Sequence, residues 1–137
     1  MLNSLTITNP QFRRISSFLT RCLPEEGCGL LAGSIDGVVQ NIFTITNKIH
    51  SHTRFRMDEL ELVHAFHEMD SKQQVLLGIF HSHPNGADHP SVTDLTEFYY
   101  PDSFMVIFSR VKRCWKASAY QVHPINKSYN SINFIRI

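Results

Sequence analysis

The sequence predicts an α/β fold in which a single mixed β-sheet is sandwiched by helices. Three observations lead to this prediction. Strand-like patterns alternate with three helical patterns, and several of the strands are joined by short turns. Residues 104–108, FMVIF, form a continuous apolar run, as expected of an interior strand that is covered on both faces. At 137 residues the chain has the length of one domain, so we expect residues 1–137 to form a single domain.

The first third of the chain is predicted to form a strand, a helix and a hairpin. Residues 4–8 alternate as a short strand, and Asn9 and Pro10 then mark a helix start with Asn9 as the N-cap. Pro24 ends this helix. The Asp-Gly pair at positions 36–37 separates two apolar runs, which predicts a β-hairpin. The predicted buried stripe of the helix consists of Phe12, Ile15, Leu19 and Cys22.

The middle of the chain adds two helices and a strand. Asp58 is predicted to cap the second helix. Residues 74–80 form a short apolar run that leads directly into His81, which indicates a buried strand. Ser91 opens the third helix, and Pro101 ends it. The predicted apolar face of the second helix consists of Leu62, Val63, Phe66 and Met69.

Two strands complete the set, over residues 115–122 and 132–137. The last strand is apolar, which makes it a candidate edge of the sheet that could pair with a second copy. The sequence thus leaves both a monomer and a homodimer open.

The composition is that of an ordinary globular protein, with 42% apolar and 18% charged residues. A net charge of +1 and one short basic segment, residues 110–113, argue against a nucleic-acid partner. No segment approaches the ~20 apolar residues that span a bilayer, and the first residues do not resemble a signal peptide. Cys22, Cys28 and Cys114 form no CxxC pair and are interpreted as reduced thiols, so we expect a cytoplasmic protein without a membrane partner.

Residues 81–94, HSHPNGADHPSVTD, hold the densest group of potential metal ligands. If the strand ending at Phe80 continues through His83, then His81 and His83 lie on one face because side chains alternate. Two such imidazoles can converge on one ion. Pro84 ends the strand, which places the pair at an edge or end of the sheet, open to solvent. An isolated His-x-His pair is also common among surface or core histidines, so the pair alone does not establish a metal site.

The segment that follows, Ser91-Val92-Thr93-Asp94, matches the capping box. By itself the box requires only a helix start. A competing interpretation turns Asp94 outward as a third ligand, in the first helical turn where the helix dipole favours a charged carboxylate. Two imidazoles, one carboxylate and an open fourth position are typical of a catalytic zinc site.

Such a site also needs a base, because the metal-assisted hydrolysis of an amide requires a group that takes a proton from water and later protonates the leaving amine. Glu25 and Glu26 lie between the first helix and the hairpin, before glycines that permit close backbone approach. Position alone does not decide between these two. Other acidic residues fall on helices with solvated faces: Glu59, Glu61, Glu68 and Glu97.

Together these motifs resemble the JAMM/MPN-plus (JAB-domain) zinc metalloproteases, in their small stand-alone prokaryotic form. Residues 24–31, PEEGCGLL, match the pattern P-x-E-x-C-G-L-L, and residues 81–94 match H-[ST]-H-P-x6-S-x2-D without departure. The resemblance covers roughly residues 4–122. It implies the MPN/JAB (cytidine-deaminase-like) fold. It also implies a Zn²⁺ ion that is held by His81, His83 and Asp94.

The resemblance further implies that Glu26 is the general base and that Ser91 hydrogen-bonds the oxyanion of the tetrahedral intermediate. The family hydrolyses isopeptide or peptide bonds at the C-terminal tail of ubiquitin-like proteins, so the expected partner is a ubiquitin-like or sulfur-carrier protein. A serine hydroxyl has one donor and two acceptor lone pairs, so Ser91 can serve the oxyanion and still cap its helix. Asp94 is then expected to give up the reciprocal capping bond.

Two other functions compete with this one. A catalytically silent scaffold of the same fold is disfavoured by the complete ligand set. A non-haem iron oxygenase usually carries H-x-D/E and a distant histidine, and it leaves Glu26 without a role. His50 and His52 repeat the pattern without a following S-x-x-D, and neither they nor His89 are expected to bind metal. Cys28 is expected to be a buried apolar residue rather than a nucleophile.

Overall fold

The computed structural model describes residues 2–137, and it has the mixed α/β fold that the sequence predicts. Seven strands form one sheet, and three helices accompany it. None of the helices in the described residues is long and apolar enough to cross a membrane. The elements in chain order are β1 (Ser4–Ile7), α1 (Asn9–Cys22), β2 (Cys28–Gly33), β3 (Val39–Ile45), α2 (Glu59–Ser71), β4 (Val75–His83), α3 (Val92–Thr96), β5 (Phe104–Val111), β6 (Cys114–His123) and β7 (Ser128–Arg136).

The sheet order is β1-β7-β6-β5-β4-β2-β3. β4 and β5 run parallel at its centre, and the other central pairs are antiparallel. The prediction that the last strand is an edge is wrong, because β7 pairs with both β6 and β1. β1 also reaches the turn between β2 and β3, since the Thr6 N–H donates to the Gly37 carbonyl at 2.9 Å.

The N-cap of α1 is Thr8 rather than the predicted Asn9. The Thr8 hydroxyl accepts from the Gln11 N–H at 3.1 Å, and the Gln11 side chain accepts from the Thr8 N–H at 2.9 Å. This reciprocal capping box satisfies two N–H groups at once, whereas Asn9 would satisfy one. Pro10 therefore lies inside the first turn, where its missing N–H costs nothing.

Each face of the sheet carries its own apolar core. On one face α1 packs against residues of the central strands, with Phe80 and Phe108 fully buried. On the other face, here called the α2 face, helix α2 contributes Ala65 and Met69 to the core. The predicted buried position Val63 is 62% exposed, because the apolar set at i, i+3, i+4 and i+7 runs through Leu62 and Ala65 instead.

α3 ends at Thr96, well before the predicted stop at Pro101. Phe98 and Tyr100 both pack into the core of the α2 face. A spacing of two residues along one face fits extended backbone and not a helix. The core therefore takes these aromatic residues from an extended segment.

We expect Gly29→Ala to destabilise the fold strongly. The added methyl group would overlap the carbonyl oxygen of Phe43 and the ring of Phe80, and the backbone atom cannot move without distorting β3. Overpacking of this kind costs about 2–3 kcal/mol or more. Urea unfolding measures the loss. Gly78→Ala is the matched control, since its methyl group would meet its nearest neighbour, the Phe104 carbonyl oxygen, at 3.3 Å. An equal loss of stability in both variants would show that the close contacts at Gly29 are not the cause.

Candidate metal centre

The two histidines of the HSH motif lie at the carboxyl end of β4 and on the α2 face of the sheet. β4 continues through His83, as the alternation argument requires, and Pro84 follows directly. The Nε2 atoms of His81 and His83 are 3.1 Å apart. The strand is interior, between β2 and β5, so the pair lies at a strand end and not at an edge of the sheet, and the expectation that it is open to solvent is wrong. His81 is fully buried and His83 is 8% exposed.

Asp94 reaches the histidines from the first turn of α3. Its Oδ2 atom lies 3.1 Å from His81 Nε2 and 3.0 Å from His83 Nε2. All three side chains are buried, and their potential ligand atoms lie within 4.8 Å of one another. This group, here called the His81–His83–Asp94 cluster, is able to bind a metal ion.

The segment between His83 and Asp94 folds back over the strand end. The His83 ring places Nδ1 2.8 Å from the Ala87 carbonyl oxygen, to which it donates in the tautomer that leaves Nε2 free to bind a cation. The Tyr120 hydroxyl donates to the Asp88 carbonyl and holds the same segment from β6. Sequence patterns gave no indication of the Tyr120 contact, because it joins residues that are distant in the chain.

Both capping bonds of the Ser91 box are present. The Ser91 hydroxyl accepts from the Asp94 N–H at 3.0 Å, and Asp94 Oδ2 accepts from the Ser91 N–H at 2.9 Å. The expectation that Asp94 gives up its capping bond is therefore wrong. The Oδ2 atom can accept from the Ser91 N–H and still face the two imidazoles, since a carboxylate oxygen carries two lone pairs.

The charges of the cluster are set by burial and by mutual hydrogen bonds. Burial alone would raise the pKa of Asp94, but hydrogen bonds with His81, His83 and the Ser91 N–H bring that pKa well below its ordinary value. Complete burial lowers the pKa of His81. For His83 burial also acts downward, but the bonds to Asp94 and to Ala87 prevail and raise the pKa. The cluster thus holds a permanent carboxylate beside a neutral imidazole, and both are suitable ligands.

Glu26 is the buried carboxyl group beside this cluster. Cys28 pairs with His81 across β2 and β4, and the Ser82 N–H donates to the Gly27 carbonyl at 3.0 Å. Continuing this register by one residue places Glu26 opposite His83, on the face that carries both imidazoles. Glu26 is 3% exposed, and its Oε1 atom has no hydrogen-bond partner in residues 2–137.

The environment of Glu26 favours its neutral form. Burial raises the pKa of Glu26 to about 8, while His83 acts to lower it and Asp94 to raise it further. Glu25, the other candidate, instead points to the surface, where it lies 3.0 Å from Nδ1 of His50. The structure thus separates two neighbouring acids that sequence position alone leaves equivalent.

The loop of residues 47–57 is fastened to the Glu26 segment by Asn47, a contact that sequence reasoning missed. Its side-chain amide donates to the carbonyls of Glu26 at 3.0 Å and Arg54 at 3.1 Å, and accepts from the Arg56 N–H at 3.0 Å. The Glu26 N–H donates to Ser51 in the same loop at 2.8 Å. A buried asparagine whose bonds join a loop to a distant segment leaves no periodic signal in a sequence.

The other candidate ligands and nucleophiles, His52, His89 and Cys28, are not members of the cluster. His89 contacts its neighbour Asp88 at 3.2 Å, and both are exposed. His52 is also exposed. Cys28 is fully buried, its thiol lies 3.4 Å from the Ile45 carbonyl, and burial raises its pKa, as expected of an inert apolar residue.

A cavity of about 560 Å³ opens beside His81 and Asp94. At its rim Arg54 forms two bonds with the carboxylate of Glu97, at 3.2 and 3.0 Å. Its volume is in the range of ligand-binding pockets. Its apolar wall includes Phe55, Met57, Leu62, Ile79, Phe98 and Met105.

Comparison with known proteins identifies relatives of this chain. The family described as prokaryotic homologs of the JAB domain matches residues 8–119. The chain is 34% identical over 88 residues to the CysO-cysteine peptidase of Mycobacterium tuberculosis, which covers 63% of this chain and 60% of that protein. It is 37% identical over 70 residues to the desampylase of Pyrococcus furiosus, covering 51% of this chain and 49% of the relative. The matches thus span about half to three-fifths of the length of these relatives.

A further relative is the probable TtuB-protein conjugate cleaving protease of Thermus thermophilus. It is 36% identical over 81 residues, which cover 58% of this chain and 53% of that protein. Among solved structures, a protein of Desulfitobacterium hafniense superposes with a TM-score of 0.86 at 26% identity, covering 97% of this chain and 92% of that one. A JAB1/MPN domain protein of Archaeoglobus fulgidus superposes with a TM-score of 0.60 at 17% identity, covering 98% of this chain and 98% of that one. This likeness supports the fold alone.

We expect the metal-free protein to lose stability as the pH rises from about 4.5 to about 8. In this range the folded state keeps the Glu26 proton that the unfolded state, with its ordinary pKa of 4.5, has released. The unfolded state therefore binds fewer protons, and the free energy of unfolding falls with pH. Glu26→Gln removes the contribution of Glu26 to this slope, and its free energy of unfolding should exceed that of the wild type at pH 8 by at least about 1 kcal/mol, since one pKa unit corresponds to about 1.4 kcal/mol.

The measurement is urea unfolding with a chelator present, repeated across the pH range. Glu25→Gln serves as the control, because that carboxylate is partly exposed and should leave the slope unchanged. Parallel profiles for wild type and Glu26→Gln would show that Glu26 does not retain its proton.

Proposed function

The chain belongs to the family of prokaryotic homologs of the JAB domain, and we propose that it is a zinc-dependent hydrolase. Its substrates are isopeptide or peptide bonds at the C-terminal tail of a ubiquitin-like or sulfur-carrier protein. The observation that carries this proposal is the convergence of three buried ligand atoms beside a buried, unpartnered carboxyl group. The relatives named CysO-cysteine peptidase and probable TtuB-protein conjugate cleaving protease support the class of substrate.

The donor set of the cluster fits zinc. His81 and His83 offer imidazole nitrogens and Asp94 offers one carboxylate oxygen, which leaves a fourth position for water or substrate. A closed structural site would use four protein ligands. When bound, the ion supplies a Lewis acid that polarises the scissile carbonyl and acidifies water.

Glu26 acts as the general base. A carboxylate opposite His83 can take the proton of the attacking water and pass it to the leaving amine. A pKa near the working pH suits a group that must both accept and return a proton. A cation in the cluster also favours the ionised form that accepts the proton.

Ser91 stabilises the oxyanion. Its hydroxyl oxygen already accepts from the Asp94 N–H, and none of the hydrogen bonds among residues 2–137 uses the hydroxyl proton. That proton is free to point toward the substrate carbonyl oxygen. The helix cap fixes the hydroxyl in place before substrate arrives, which is how oxyanion donors are effective.

The remaining features of the proposal concern the whole chain. Because all seven strands join one sheet, we propose that residues 1–137 act as one domain. The three cysteines are free thiols, which is consistent with the reducing conditions of the cytoplasm.

Glu26→Gln should keep about one equivalent of zinc and lose about 10²–10⁴-fold in turnover, since it removes a base and no ligand. His83→Ala and Asp94→Ala should lose both zinc and activity. Zinc is measured by elemental analysis. Turnover is measured by mass spectrometry of ubiquitin-like and sulfur-carrier proteins that carry C-terminal adducts.

Glu25→Gln is the matched control for the base, with zinc content and turnover both expected to stay at wild-type values. Wild-type turnover in Glu26→Gln would rule out the mechanism. Wild-type protein that takes up no zinc under reducing, chelator-free conditions would favour a catalytically silent scaffold instead.

Ser91→Ala should lower turnover by about 10²–10³-fold through loss of the oxyanion donor. It should also cost about 1 kcal/mol of stability through loss of the helix cap. Thr8→Ala removes the corresponding cap of α1 and should cost similar stability with unchanged turnover. If both variants hydrolyse substrate equally well, Ser91 is a cap and nothing more.

A further inference from the structure

We propose that Phe55 is a positioning residue of the metal centre, whose ring holds the His81 imidazole in the orientation that binds the ion. This inference rests on the metal-dependent function proposed above. It concerns a residue that contacts a ligand side chain from the loop of residues 47–57, far from the HSH motif in sequence.

The starting observation is that the two histidines are supported differently. His83 has its Nδ1 atom 2.8 Å from the Ala87 carbonyl, the usual arrangement for a metal-binding imidazole. The Nδ1 atom of His81 is buried and has no hydrogen-bond partner in the described part of the chain. Only the Nε2 side of the His81 ring is therefore held by a polar contact, to Asp94, and its Nδ1 side depends on packing.

Phe55 supplies that packing. Its ring stacks on the His81 ring with centroids 4.6 Å apart and an interplanar angle of 23°. The ring of His83 meets His81 edge-on, at 4.9 Å and 65°. Tilting of the His81 ring about its Cβ–Cγ bond would drive its edge into Phe55, so the stack restricts the ring to the plane from which Nε2 faces Asp94.

The loop that carries Phe55 is itself held at several points. Asn47 ties its two ends together and to the Glu26 segment, and Arg54 is bonded twice to Glu97 beyond α3. The Phe55 ring is therefore held against His81 by the protein itself, before substrate binds. Because Phe55 also lines the cavity beside the cluster, loss of its ring would open a path for water to the buried imidazole.

The test is zinc affinity of the metal-free full chain, measured by competition with a chromophoric chelator. Phe55→Leu should weaken zinc binding about 10-fold or more, in the range typical of residues that orient a metal ligand. Phe55→Tyr keeps the ring and should stay within about 3-fold of wild type. Phe55→Met fills the space without a flat ring, should also lose affinity, and replaces Phe55→Leu if that variant does not fold.

Phe66→Leu is the matched control, because Phe66 is a half-buried phenylalanine on the same face that stacks on Tyr100 at 6.3 Å. It should lose stability and keep zinc affinity. The visible spectrum of the cobalt-loaded protein gives a second readout, since it follows ligand geometry: it should change in Phe55→Leu and not in Phe66→Leu.

The outcomes separate this inference from the function on which it rests. A wild-type chain that binds no zinc removes the proposed function. A wild-type chain that binds zinc, together with unchanged affinity and cobalt spectrum in the folded Phe55→Leu and Phe55→Met variants, overturns the positioning role alone. Loss of affinity in Phe55→Tyr equal to that in Phe55→Leu would also overturn it, because the ring would not be the cause.

Discussion

The register between β2 and β4 is the constraint on which the site depends. Pairing of Cys28 with His81 sets the rows next to it, so Glu26 falls opposite His83. A slip of one residue would turn the carboxyl group of Glu26 to the other face of the sheet. The Ser82 side chain resists such a slip from the opposite face, because its hydroxyl accepts from the Gly27 N–H at 2.8 Å. The middle residue of the HSH motif therefore has a structural task of its own.

A second constraint joins helix geometry to the chemistry of the cluster. One oxygen of Asp94 caps α3 and also faces both imidazoles. The position of this carboxylate is thus fixed both by the capping bond from the Ser91 N–H and by its contacts with the two histidines. The helix has only five residues, so its cap contributes a large part of its order. A short helix is sufficient here, because its main task is to present one side chain.

The sequence predicts the parts of the site that depend on local periodicity. Alternation along β4 gives the shared face of His81 and His83, and the capping box gives the start of α3. Edge or interior position is a matter of pairing between distant segments, so the sequence predicts an edge position for β7, which in fact pairs on both sides. Phe55 and Asn47 act through contacts of a folded loop and have no repeating pattern in the chain. The family pattern identifies Glu26, whereas spacing alone could not separate it from Glu25.

The position of β1 affects how the molecule behaves among other copies of itself. This strand is four residues long, hydrogen-bonds β7 on one side and contacts the turn at Gly37 on the other. Short and already engaged border strands offer little free backbone to a neighbouring chain, which is how natural sheets avoid edge-to-edge aggregation. At this border of the sheet little backbone is therefore left free to pair with a neighbouring chain.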